Sequence, residues 1–206
     1  MQTTRQLFMW TFLLLLIALL AACSGSTLNK QVTKETPKET SQAASKSSVK
    51  ELKDFELQIY QPDGNLKPLK LSQAVGKGKV VVIDFWATWC GPCRQSIPDL
   101  IAAQNEYKDK GVEFFGLSVE DPTEGNRKYP DQKNKEAVNS MAKDFKINYH
   151  VGFSPEEMFT SFDRTGAIPQ TFIFGKDGAL IEHIKGFHPV IAPKKLRASI
   201  DKALES

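Results

Sequence analysis

Cysteine is scarce in this chain, with three in 206 residues, and histidine is as rare. So few thiols exclude a disulfide-stapled scaffold, whose cysteines are spread along the chain to close long loops. The histidines, His150, His183 and His188, fall on separate predicted elements and offer no metal-ligand set. Charge of one sign is also lacking: 27 Lys and Arg against 24 Asp and Glu leave a net +3. With no basic cluster interleaved with aromatics, nothing points to nucleic acid as a partner. No apolar run reaches the roughly 20 residues of a membrane-spanning helix, and no segment repeats. What is there, 41% hydrophobic and 10% aromatic residues, suits one globular domain with attachments.

The attachment is N-terminal. Arg5 supplies a positive start, and Leu7 to Ala22 is an uncharged run of Leu, Phe, Ile and Ala. The run ends in Leu20-Ala21-Ala22-Cys23, followed by Ser24-Gly25-Ser26, and small residues before such a cysteine resemble the bacterial lipoprotein signal. That resemblance implies a signal peptide over 1–22 and lipid on Cys23. An uncleaved anchor helix is the alternative, and in both cases Arg5 stays cytoplasmic while the rest is exported. Residues 23–50 are Ser, Thr, Lys, Gln, Glu and Ala with almost no large apolar side chain, and read as a lipidated, flexible tether.

The folded part is expected over 51–206. Phe55–Ile59 alternates apolar and polar, Pro62–Asn65 reads as a turn, and Leu66–Leu71 as a returning strand. Val80-Val81-Val82-Ile83 suits a strand buried on both faces. Helical spacing follows from Pro92 to about Lys108, then a second buried strand over Val112–Val119. Residues 120–134 look like an exposed insertion. Beyond it come a helix over Lys135–Phe145, a short strand over Tyr149–Phe153 and a short helix over Pro155–Phe162. A hairpin of Thr171–Phe174 and Leu180–Ile184 and a closing helix over Pro193–Leu204 complete an α/β order with a mixed sheet.

With Cys23 assigned to lipid, one pair remains, Cys90 and Cys93, closing a loop too short to matter for stability. Cys-x-x-Cys alone also describes half a zinc site. Here it stands at a strand-to-helix junction, where free amides and the helix dipole favour a thiolate. Cys90, first and exposed, is the expected nucleophile, with its pKa lowered toward ambient pH. Cys93, one turn in, is placed to resolve a mixed disulfide. Pro92 fits the first helical turn, where its missing N–H costs nothing.

The segment from Val82 to Cys93, with Trp89-Cys90-Gly91-Pro92-Cys93, resembles the thioredoxin active site. With Phe55 and the hairpin after it, Lys79–Val82 and Ile168-Pro169-Gln170-Thr171-Phe172, the chain is similar to the TlpA/ResA-type thioredoxin-like lipoproteins over about residues 52–204. The resemblance implies a thioredoxin fold: a central mixed sheet flanked by helices, an N-terminal β-hairpin, and an insertion before the second core helix. It implies a cis bond before Pro169 facing the cysteines, with the Ile168 backbone pairing with a substrate chain. Trp89 becomes an apolar contact surface beside Cys90. Gly91-Pro92 resembles the reducing members of the fold.

Asp84 matches the buried acid of thioredoxin; a carboxylate ending an apolar strand is desolvated, so its pKa rises and it becomes a usable base for Cys93. The alternative is a structural Asp at a strand end. Trp86 is read as core. Ser96 stands where relatives often carry Glu, which leaves the substrate open. The activity implied is disulfide reduction in exported proteins, without cofactor or metal, by a monomer fed by a membrane thiol donor of the CcdA/DsbD type. An oxidase or isomerase is the near alternative. A thioredoxin-fold copper chaperone is a more distant one, since such relatives space their cysteines by three and add a histidine where Ile168 stands.

Overall fold

In this computed structural model residues 50–75, 78–125 and 133–206 are described. The expected signal peptide, Cys23, nearly all of the tether and residues 126–132 of the insertion lie outside them.

In chain order the elements are β1 (Glu56–Tyr60), β2 (Leu66–Lys70), α1 (Leu71–Val75), β3 (Val80–Trp86), α2 (Gly91–Tyr107), β4 (Val112–Ser118), α3 (Asn134–Asp144), β5 (His150–Phe153), α4 (Glu156–Phe162), β6 (Gln170–Phe174), β7 (Leu180–Lys185) and α5 (Ile191–Glu205). The strands form one sheet in the order β2-β1-β5-β4-β3-β6-β7. The pairs β3–β4 and β4–β5 are parallel and the rest antiparallel, so the sheet is mixed, as expected.

The apolar run reaches past Ile83. β3 is buried along its whole length, through Trp86, because both of its faces are covered. Val81, Ile83 and Phe85 pack with Phe172, Phe174 and the α4 residues Met158 and Phe162. Val80 and Val82 pack on the opposite face with Leu100, Ala103 and Tyr107 of α2 and Leu196 and Ile200 of α5. Each such side chain taken from water contributes about 1.5–3 kcal/mol. Strand alternation therefore turns Asp84 and Trp86 toward α2.

Two glycines set close approaches. At Gly152 a Cβ would lie 2.0 Å from the Gln58 carbonyl, so only glycine lets β1, and with it the hairpin, lie against β5. At Gly116, paired with Asp84 across the parallel ladder, a Cβ would lie 2.8 Å from the Tyr149 ring. The missing side chain makes room for that tyrosine.

The structure corrects two expectations here. The returning strand stops at Lys70, and Leu71 begins a five-residue helix. Its start is capped from a distance: Asp54 accepts from the Ser72 amide and hydroxyl, each at 2.9 Å. The insertion is not exposed throughout, because Glu120 and Asn134 at its two ends are buried. Asn134 donates to the Asp121 carbonyl at 2.8 Å, closing the loop on itself.

Candidate active site

The chain leaves β3 at Trp86 and turns once, the Cys90 amide donating to the Ala87 carbonyl at 3.1 Å. Cys90 is the N-cap of α2, in extended conformation, and its Sγ accepts from the Cys93 amide at 3.2 Å. A sulfur held against a helix N-terminal donor is one whose negative charge is stabilised. Gly91 and Pro92 fill the first turn. Cys90 and Cys93 are joined as a disulfide, with Cα atoms 5.3 Å apart.

Cys90 is less open than its position suggests. It is 5% exposed and Cys93 0%, both packed with Trp86, Ala87, Val138, Val151 and Phe153, and Ile168 lies against this cluster. The exposed-cysteine expectation is thus corrected: both cysteines are buried, in an apolar cluster with residues of β3, α3 and β5. The order of access stands, and Trp89 beside it is 43% exposed.

The Ile168–Pro169 peptide is cis. Pro169 is buried, and its carbonyl accepts from the Gly186 amide at 2.9 Å. The turn is held from behind by Gln170, fully buried, whose amide nitrogen donates to the Ala167 carbonyl. The Gln170 Oε1 meets His183 Nε2 at 2.6 Å. His183 stacks on Phe172 with ring centroids 3.9 Å apart. Burial, aided by nearby Lys185, pushes the imidazole down to about 4. It is neutral at pH 7, and its proton sits on Nε2, because Gln170 presents only an acceptor there.

Asp84 is 3% exposed and accepts from the Thr171 hydroxyl at 2.8 Å. Burial pushes its carboxyl up to about 7, against a smaller opposing pull from that hydrogen bond. The direction is the one expected from the sequence. Tyr149, filling the space above Gly116, is held protonated by burial and by the Asp84 charge.

Glu120 is the residue that sequence reasoning missed. Its carboxylate accepts from the Thr88 amide at 3.0 Å, the Thr88 hydroxyl at 2.7 Å and the Ser118 hydroxyl at 3.0 Å. It thereby ties the end of β4 to the turn that presents Cys90. Thr171 and Tyr149 were also not singled out. The available signal for Thr171 was β6 alternation opposite Asp84; Glu120 carried none, since it opens a polar stretch.

The sequence profile of the AhpC/TSA family matches residues 49–183. Among curated proteins, a thiol-disulfide oxidoreductase ResA of Bacillus cereus is 32% identical over 110 residues, 53% of this chain and 57% of that protein. ResA of Bacillus subtilis is 26% identical over 141 residues, 68% of this chain and 70% of that protein. The chain thus spans little more than half of the first relative. Among solved structures, a protein assigned as thiol:disulfide interchange protein DsbE from Chlorobium tepidum superposes with a TM-score of 0.59 at 28% identity, over 75% of this chain and 96% of that one. The sheet order and flanking helices are those of the thioredoxin fold.

Proposed function

The chain belongs to the AhpC/TSA family, and on that premise we propose that it is a thiol–disulfide oxidoreductase that reduces disulfides of exported proteins. The observation that carries this reading is the Cys90–Cys93 disulfide at the N-terminus of α2, in an apolar cluster that Ile168 of the cis-Pro turn packs against. The similarity to ResA proteins supports it.

In the reduced protein the Cys90 thiolate attacks a substrate disulfide. An S–S bond forms to Cys90, the substrate's own S–S bond breaks, and one substrate thiolate leaves. Asp84, turned toward α2, takes the Cys93 proton. The Cys93 thiolate then attacks Cys90 sulfur, releasing the second substrate thiolate and leaving the disulfide seen here. Two electrons pass to substrate, and no cofactor or metal enters. The Ile168 backbone aligns the substrate chain beside cis-Pro169, and Trp89 with Gly91-Pro92 forms the contact surface.

A reductant in an oxidising compartment must be re-reduced, and a membrane thiol donor of the CcdA/DsbD type fits that need. Cleavage after residue 22 and lipid on Cys23 would hold the 51–206 domain at the membrane surface on a 23–50 tether, as a monomer facing the periplasm or extracytoplasmic space. Peroxide chemistry is disfavoured because the Thr88 hydroxyl is committed to Glu120.

Cys93→Ala should accumulate exported proteins as mixed disulfides on Cys90, visible on non-reducing gels, whereas Cys90→Ala should trap almost none. Equal trapping by the two variants would overturn the assignment of nucleophile and resolving thiol.

A further inference from the structure

A buried general base must pass its proton to solvent before the next turnover, and Asp84 is only 3% exposed. Among the described residues its carboxylate has one hydrogen-bond partner, the hydroxyl of Thr171, directly opposite it in the β3–β6 ladder. Thr171 differs from Asp84 in being half-buried. It lines a narrow cleft between Ser96 and Asp99 of α2, cis-Pro169, and Ala192 and Pro193 at the start of α5. The cleft has about 20 Å³ of space open to water, enough for one water molecule.

We propose that Thr171 is a positioning residue for Asp84: its hydroxyl orients the carboxylate and passes the proton taken from Cys93 to water in the cleft beside cis-Pro169. The inference rests on Asp84 as the base proposed above. The transfer balances without electrons. Protonated Asp84 donates to Thr171 Oγ1, whose own proton goes to the cleft water, and carboxylate and hydroxyl are restored by rotation. Among the described residues, few titratable groups face Asp84. α2 offers Cys93 and, at the cleft rim, Asp99; Tyr149, just ahead of β5, is held protonated. β6 offers only Thr171 there, and the parts of β7 and α5 that line the cleft, Ile184, Ala192, Pro193 and Leu196, carry no charge. The hydrogen bond favours the carboxylate over the acid, so its loss moves the Asp84 titration upward.

The test follows release of thionitrobenzoate from its mixed disulfide with Cys90 as a function of pH, together with difference-infrared titration of the buried carboxyl. Thr171→Val should move both midpoints up by about one pH unit, the worth of a hydrogen bond to a charged group. Thr171→Ala, which removes the hydroxyl without adding bulk, should show the same shift, and Thr171→Ser should restore the original midpoint. Asp84→Asn should abolish the infrared titration and flatten the rate profile. If Asp84→Asn does so while Thr171→Val and Thr171→Ala keep the original midpoints, the role of Thr171 is refuted and the base stands. If Asp84→Asn leaves the rate profile intact, the base reading fails and the inference with it.

Discussion

Asp84→Asn should make the oxidised protein more stable at pH 8 and leave it nearly unchanged at pH 4. The carboxyl, ordinarily at 3.8, sits at about 7 in the fold, chiefly because burial penalises its charged form. The folded protein therefore keeps the proton at pH values where the unfolded chain has lost it. Stability is fully expressed below about pH 4 and declines as pH rises through about 7. A shift of roughly three units at about 1.4 kcal/mol each corresponds to about 4 kcal/mol carried as a cost above pH 7. Asparagine removes the charge and keeps an oxygen for the Thr171 hydroxyl, so a gain of about 2–4 kcal/mol is expected there. Urea unfolding of both proteins at pH 4 and pH 8 measures it, with the midpoint moving at unchanged slope. An equal effect at the two pH values, or a loss of stability at pH 8, would refute the claim that Asp84 is held as a desolvated carboxyl.

Glu120→Ala should cost about 2–4 kcal/mol, because it strands buried donors of Thr88 and Ser118. It should also slow thiol exchange by loosening the turn before Cys90; urea unfolding and turnover check the two effects, and wild-type values in both would make Glu120 incidental. Cys23→Ala should block incorporation of labelled fatty acid while leaving in vitro activity unchanged, and undiminished labelling would rule out Cys23 as the lipid site.

Much of the fold and of the site lay open in the sequence because the relevant residues are neighbours. Val80–Cys93 contains the buried strand, its carboxylate, the turn and both cysteines in one stretch, and local pattern is enough to order them. Ile168-Pro169 was legible only through family resemblance, since composition does not distinguish a cis from a trans proline. What escaped depends on chain segments that meet in space. Helix α1 is too short for helical periodicity to register, and its cap, Asp54, comes from 18 residues before Ser72. Glu120 reads as the first residue of a polar loop, and it is buried because β4 delivers it beneath Thr88. Cys90 reads as an open helix start, and it is buried because it joins an apolar cluster with residues of α3 and β5. Gly116 and Tyr149 mean little singly; their complementarity appears only when β4 and β5 lie side by side.

The central claim is that the Cys90–Cys93 couple is a reductant. Equilibrating the purified protein with dithiothreitol or glutathione buffers and quantifying the dithiol gives its potential directly. The resemblance of the Gly91-Pro92 pair and its site to thioredoxin leads us to expect a value near the thioredoxin value of about −270 mV, some 90 mV below the isomerase value of about −180 mV. That gap corresponds to about 4 kcal/mol in favour of net disulfide reduction. A potential near −270 mV is the result predicted, and one at or above about −150 mV would make the protein an oxidant and contradict the account.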